Sequence, residues 1–223
     1  KNYTYTSNDS IVSSGISINK DITIDGAGYT IDGANQASIF NIIGNSHVIL
    51  KNINFVNAKG NDGAALRWTT SDNVEIFNSN FINNSAFGNG GAIYIAPAST
   101  MTSTSTISGY NFKIIDSSFI NNTAADDGGA CYVYGNNGII DNVVMTGNNC
   151  TGDGGALYVN GTNIKVYNIQ FISNTAGDDG GAIYWMGSSG TIHNITSIDN
   201  NGISIGKPDG NTSSTRGGAI CLT

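Results

Sequence analysis

Apolar and polar residues alternate along most of the chain with the two-residue period of half-buried strands, and Gly-, Asn- and Asp-rich stretches punctuate the runs. No segment carries the 3.6-residue stripe of an amphipathic helix. Two kinds of run recur. The first is Gly90-Gly91-Ala92-Ile93-Tyr94-Ile95, which returns at 128–133, 154–159 and 180–185, with a worn copy at Gly63-Ala64-Ala65-Leu66 and another at Gly217-Gly218-Ala219-Ile220-Cys221-Leu222. The second is an alternating run that ends in a bulky residue with Asn three positions later, as in Ile164 to Phe171 followed by Asn174.

The spacing of these runs is strict. Asn52, Asn78, Asp116, Asn142, Asn168 and Asn194 stand 26, 38, 26, 26 and 26 residues apart, so the period is 26 with one insertion of twelve. Asn84, Asn122, Asn148, Asn174 and Asn200 obey the same arithmetic, as do Leu50, Ile76, Ile114, Ile140, Val166 and Ile192. Strands that repeat without crossover helices pair in parallel only by winding the chain into a coil, each turn bonded to the next at about 4.8 Å. The predicted fold is therefore all-β, a parallel β-helix of about seven coils of 26 residues beginning near residue 22. Residues 1–21 are expected to form an N-terminal cap segment, and 22–223 the solenoid, with inserted loops at 96–107 and 202–216. A chain that stops on a repeat strand presents an open edge, so further coils, another domain or another chain are expected to cover it.

In such a coil a column in the sequence is a ladder in space. Asn becomes tolerable in the interior when its amide bonds to the Asn above and below, and Asn52, Asn78, Asn142, Asn168 and Asn194 are expected to point inside the bends. Ile93, Cys131, Leu157, Ile183 and Ile220 should face the core together with Ile95, Val133, Val159, Trp185 and Leu222. Strict alternation then places Ala92 and Tyr94, with their equivalents, on the other side. Phe55, Phe81, Phe119, Met145 and Phe171 form an interior column, and Ala86, Ala124, Cys150 and Ala176 mark a tight inward turn. Cys131 and Cys150 thus read as small buried hydrophobes; three cysteines fit neither a zinc site nor a disulfide framework.

Composition narrows the function. Only 11% of the 223 residues are charged and the net charge is -7, so polarity is carried by amides and hydroxyls, and there is no basic footprint for nucleic acid or an anionic membrane. No apolar run is long enough to span a bilayer. The column before Gly-Gly reads Asp62, Asn89, Asp127, Asp153, Asp179 and Arg216. Stacked carboxylates repel unless solvated or bridged, which makes Asp127, Asp153 and Asp179 candidate Ca²⁺ ligands; the alternative is that Asp-Gly simply supplies turns. Tyr94, Tyr132, Tyr158 and Tyr184 form a candidate ligand-binding strip suited to stacking on sugar rings or anchoring a protein, unless the rings only stack on one another. Sequons stand at Asn2, Asn8, Asn83, Asn121, Asn149, Asn160, Asn194 and Asn211, which permit glycosylation. His47 and His193 lie at unrelated repeat positions and read as surface residues.

The pairing of Gly-Gly-Ala-Ile with Phe-x-x-Asn resembles the repeats of chlamydial polymorphic membrane proteins. The opening from Ile18-Asn19-Lys20-Asp21-Ile22-Thr23-Ile24-Asp25-Gly26 through Thr30-Ile31-Asp32-Gly33 to Leu50-Lys51-Asn52-Ile53-Asn54-Phe55 is similar to adhesin-like right-handed parallel β-helix repeat proteins of methanogenic archaea. The resemblance implies a right-handed coil and a secreted, cell-surface-anchored adhesin, archaeal and carrying N-glycans. Its expected partner is a surface glycan or protein of a host or neighbouring cell, with no cofactor beyond a candidate Ca²⁺. Two rival classes share the repeat: a polysaccharide-cleaving β-helix enzyme, lyase or hydrolase, and a structural surface-layer or filament subunit. The scattered basic residues and unrelated histidines weigh against the enzyme.

Overall fold

The 26-residue period closes into stacked coils. The computed structural model describes residues 1–12, 14–44, 46–69, 73–96, 111–202 and 219–222. Apart from Ala96 and Gly202, both expected inserted loops lie outside the described residues, as do Arg216 and Asn211. Among the described residues every strand pairing is parallel, in three sheets of twelve, five and eight strands. The only helical segment among the described residues is a 3₁₀ turn, Ser7–Val12.

Register follows the sequence arithmetic. Ile24 pairs with Leu50, Leu50 with Ile76, Ile76 with Ile114, Ile114 with Ile140, Ile140 with Val166 and Val166 with Ile192. The 38-residue interval therefore changes nothing in the pairing: Val74–Phe77 and Phe112–Ile115 pair residue for residue, like strands 26 apart. Before residue 22, Tyr3–Thr4 already pairs with Thr30–Asp32, and Ser14–Ile18 with Ser38–Ile42.

The core runs up the axis as stacked like residues. Phe55, Phe81 and Phe119 are buried, their rings 4.7 Å apart and within 12° of parallel, and Met145 and Phe171 continue the column. Offset aromatic stacking adds to the area these rings bury. Ala124, Cys150 and Ala176 form a second small cluster beneath the short turn. Ile220 and Leu222, expected inside, are 39% and 64% exposed, because they lie in the last strand of their sheet with no strand beyond them among the described residues.

Two expectations about direction are corrected. Ala92 is buried, together with Ala65, Ala130, Ala156 and Ala182. The alternation breaks there because two successive N–H groups share one acceptor: Ala92 and Ile93 both donate to the Ala130 carbonyl, at 2.9 and 3.0 Å. Neighbouring residues then face the same way, as in a β-bulge. The preceding Gly-Gly makes this possible. Gly128 takes φ +66°, and a Cβ on Gly129 would run into the Gly155 carbonyl oxygen.

The second correction concerns asparagine. Asn78, Asn142, Asn168 and Asn194 are exposed and Asn52 half-buried; each sits at positive φ, between 44° and 56°, at the bend, which turns its side chain outward. A ladder does form there, but on the surface: Asn78 donates to Asn52 at 2.7 Å and Asn194 to Asn168 at 2.6 Å. The interior amides are Asn84, Asn122, Asn148 and Asn174, all buried. Each Nδ2 donates to the Oδ1 one coil on and to a backbone carbonyl, and each Oδ1 also accepts a backbone N–H from one coil back, that of Ala58 at Asn84 and that of the preceding ladder Asn at the other three. Asn122 Nδ2, for example, reaches Asn148 Oδ1 at 2.9 Å and the Phe81 carbonyl at 3.0 Å. Asn122 Oδ1 takes the Asn84 N–H at 3.0 Å and Asn84 Nδ2 at 2.9 Å. Burial is offset because these donors and acceptors are filled.

Candidate functional site

Two columns with candidate chemistry share the region around the Gly-Gly turn and the eight-stranded sheet. The Asp column lies at the turn, half-buried. Its carboxylates are not arranged around a common centre; those of Asp62, Asp127 and Asp153 each receive a backbone donor from the next coil. Asp62 Oδ1 accepts the Asn89 N–H at 2.9 Å, Asn89 Oδ1 the Asp127 N–H at 3.1 Å, Asp127 Oδ1 the Asp153 N–H at 2.8 Å, and Asp153 Oδ1 the Asp179 N–H at 2.9 Å. Asn89 does the same work as the aspartates, so the column needs an acceptor and not a charge. The glycine after each of these residues takes the positive φ, between 56° and 70°. Burial raises the Asp127 and Asp153 carboxyls above the usual carboxylate range; the backbone donors oppose this, and neighbouring Asp charges add to it. Among the described residues no group of three His, Cys, Asp or Glu is placed to hold a metal ion.

The tyrosines are outward-pointing residues of consecutive strands in register: Tyr94 pairs with Tyr132, Tyr132 with Tyr158 and Tyr158 with Tyr184. Their rings stack at 5.3, 4.6 and 5.3 Å, and the Arg67 guanidinium lies 6.0 Å from the Tyr94 ring. Tyr158 and Tyr184 are only 7% and 3% exposed, whereas Tyr94 and Tyr132 are half-buried. The accessible part of the strip is thus the Arg67–Tyr94–Tyr132 end. The Tyr158 hydroxyl contacts Met186 Sδ at 3.2 Å, and burial pushes its phenol up to about 12.

Cys131 and Cys150 are free thiols, both buried. Desolvation raises the Cys150 thiol to about 12 and Cys131 well above its ordinary value, the opposite of an activated nucleophile. His47 and His193 are exposed. The sequon residues divide. Asn83 and Asn121 are exposed at positive φ in one turn column, followed in each case by the buried ladder asparagine, so the fold alone accounts for both asparagines of each triplet. Asn149 is exposed in the strand Asn149–Cys150, Asn160 is half-buried, and Asn194 is exposed but tied to Asn168.

The buried ladder was the feature the repeat arithmetic did not orient. A signal for it exists in the sequence: the Asn52 column admits Asp116, whereas the Asn84 column carries Asn in every coil from 84 to 200. A position that accepts a charge is wet, and one that keeps the amide is dry.

The Chlamydia polymorphic membrane protein (Chlamydia_PMP) repeat matches four segments, 78–96, 116–134, 142–160 and 168–184, together about a third of the chain. Each match opens on the outward, positive-φ Asn or Asp and ends at or just beyond the tyrosine strand, so one repeat corresponds to most of one coil. Residues 18–55, on which the expected resemblance to methanogen adhesins rests, lie outside the matched segments. Comparison with curated proteins gave no match, and none was found among solved structures.

Proposed function

We propose that this chain is a non-enzymatic passenger or stalk of an extracellular, adhesin-like surface protein that touches a glycan or protein on a host or neighbouring cell. The observation that carries this reading is the coincidence of the polymorphic membrane protein repeat with the coil itself, four times in register. Proteins built from that repeat lie on cell surfaces, and the stacked coils give an elongated face on which like residues recur. The half-exposed Arg67–Tyr94–Tyr132 end supplies aromatic and cationic groups suited to such contact. The reading calls for no cofactor.

The test is retention of the purified chain on intact cells and on a glycan array. Binding that is lost on Tyr94→Ala/Tyr132→Ala, with an unchanged melting temperature, supports the proposal. Release of reducing ends or unsaturated sugars from a polysaccharide panel, without cell retention, would replace it with the enzyme.

A further inference from the structure

On the outer face of the twelve-stranded sheet, four successive coils line a pocket of about 260 Å³. Its rim is one column of polar residues, His47, Asn73, Asn111 and Asn137, all exposed, and its wall includes the neighbouring column residues Glu75 and Lys113, which pair across the sheet. Glu75 is 21% exposed at its side chain; its Oε1 faces Lys113 Nζ at 3.2 Å and His47 Nε2 at 3.5 Å. Oε2 has no partner among the described residues. Asn137 Oδ1 accepts from Asn163 at 2.8 Å.

We propose that this pocket binds one ring of a neutral saccharide, which rests on the surface-contact reading above and gives it a second site. A carboxylate oxygen accepts from sugar hydroxyls, an ammonium donates to them, and amide side chains do both, matching hydroxyls that are donor and acceptor at once. Glu75 and Lys113 carry opposite charges in a chain of net charge -7, so the protein's field does not draw in an anion. The volume lies below the range of drug-sized pockets, about 300–1,000 Å³, and suits a single small polar ligand. Glu75 and Lys113 are 38 residues apart in sequence, and only the insertion-corrected period brings them side by side in one column.

The experiment is an NMR titration of the ¹⁵N-labelled chain with methyl glycosides of glucose, galactose and mannose and with N-acetylglucosamine, using glucuronate as the charged comparison. A neutral sugar should move the Glu75, Lys113 and Ile139 amides with a Kd on the order of 1 mM. Glu75→Gln and, independently, Asn111→Ala should each weaken it by roughly tenfold, about 1.4 kcal/mol, while resonances elsewhere stay in place. No shift with any neutral sugar, equal binding of glucuronate, or full binding by both variants would overturn the proposal. Cell retention of the intact chain without pocket shifts overturns only the pocket; pocket shifts without retention uphold it and overturn the adhesive role.

Discussion

Replacing Asn122 by Ala removes one rung of the interior amide ladder, and the structure allows its cost to be worked out. Four hydrogen bonds disappear, two donated by Nδ2 and two accepted by Oδ1. Asn148 Oδ1 keeps the Asn122 backbone N–H at 2.9 Å, so it is not orphaned. Asn84 loses the acceptor for its backbone N–H and for one Nδ2 hydrogen, and the Phe81 carbonyl loses its side-chain donor. At about 1–3 kcal/mol for each buried group left unpaired, and with a water able to reach some of them, Asn122→Ala should cost roughly 3–6 kcal/mol, a large share of the 5–15 kcal/mol that holds a typical domain together. The comparison is Asn142→Gly on the outer ladder, where glycine keeps the φ of +53° and only one exposed bond, to Asp116, is lost; its effect should stay within about 0.5 kcal/mol. Urea unfolding followed by circular dichroism reads both, with the two midpoints compared at unchanged slope. If Asn122→Ala costs no more than Asn142→Gly, the ladder does not carry the interior.

Other outcomes follow from the same geometry. Because Asp127 and Asp153 have folded-state affinities for protons above those of the unfolded chain, their contribution is full below the ordinary carboxylate range and is lost as pH rises through the raised values; Asp127→Asn/Asp153→Asn should therefore be more stable than the parent at pH 7 and equal to it at low pH, by thermal melting. Millimolar calcium should leave the melting temperature of the parent unmoved, since each of these carboxylates already accepts a backbone N–H. Ellman's reagent should leave Cys131 and Cys150 unmodified in the native protein and titrate all three thiols in urea. Gly129→Ala should unfold the chain or lower its melting temperature sharply, whereas Gly28→Ala, with nothing within 4 Å of the added Cβ, should show only the strain of its positive φ.

Architecture was legible because it rests on period, which survives the twelve-residue insertion: Ile76 still finds Ile114, and Phe81 still finds Phe119. Direction was less legible. Alternation carried backwards from Ile93 through Ala92 assumes one acceptor per donor, and the shared Ala130 carbonyl breaks that assumption. Both asparagine columns have the same period, and what separates them is backbone conformation: positive φ at Asn78 turns the amide out, while Asn84 sits one residue past such a bend at Asn83 and turns in. The tyrosine strip could be placed on the outside from sequence, but the burial of Tyr158 and Tyr184 depends on packing along the coil. The pocket joins residues with no shared motif, so nothing local announces it.

The interior amides all point the same way, each handing one hydrogen to the amide of the coil that follows and the other to a carbonyl of the coil before. A solenoid wired in this manner has no privileged middle: any turn is interchangeable with its neighbour as a donor to the next and an acceptor from the last. Loss or duplication of one whole 26-residue turn, such as 143–168, would rejoin matching halves, which lets unequal recombination lengthen or shorten the molecule one coil at a time while its outer face is rewritten independently.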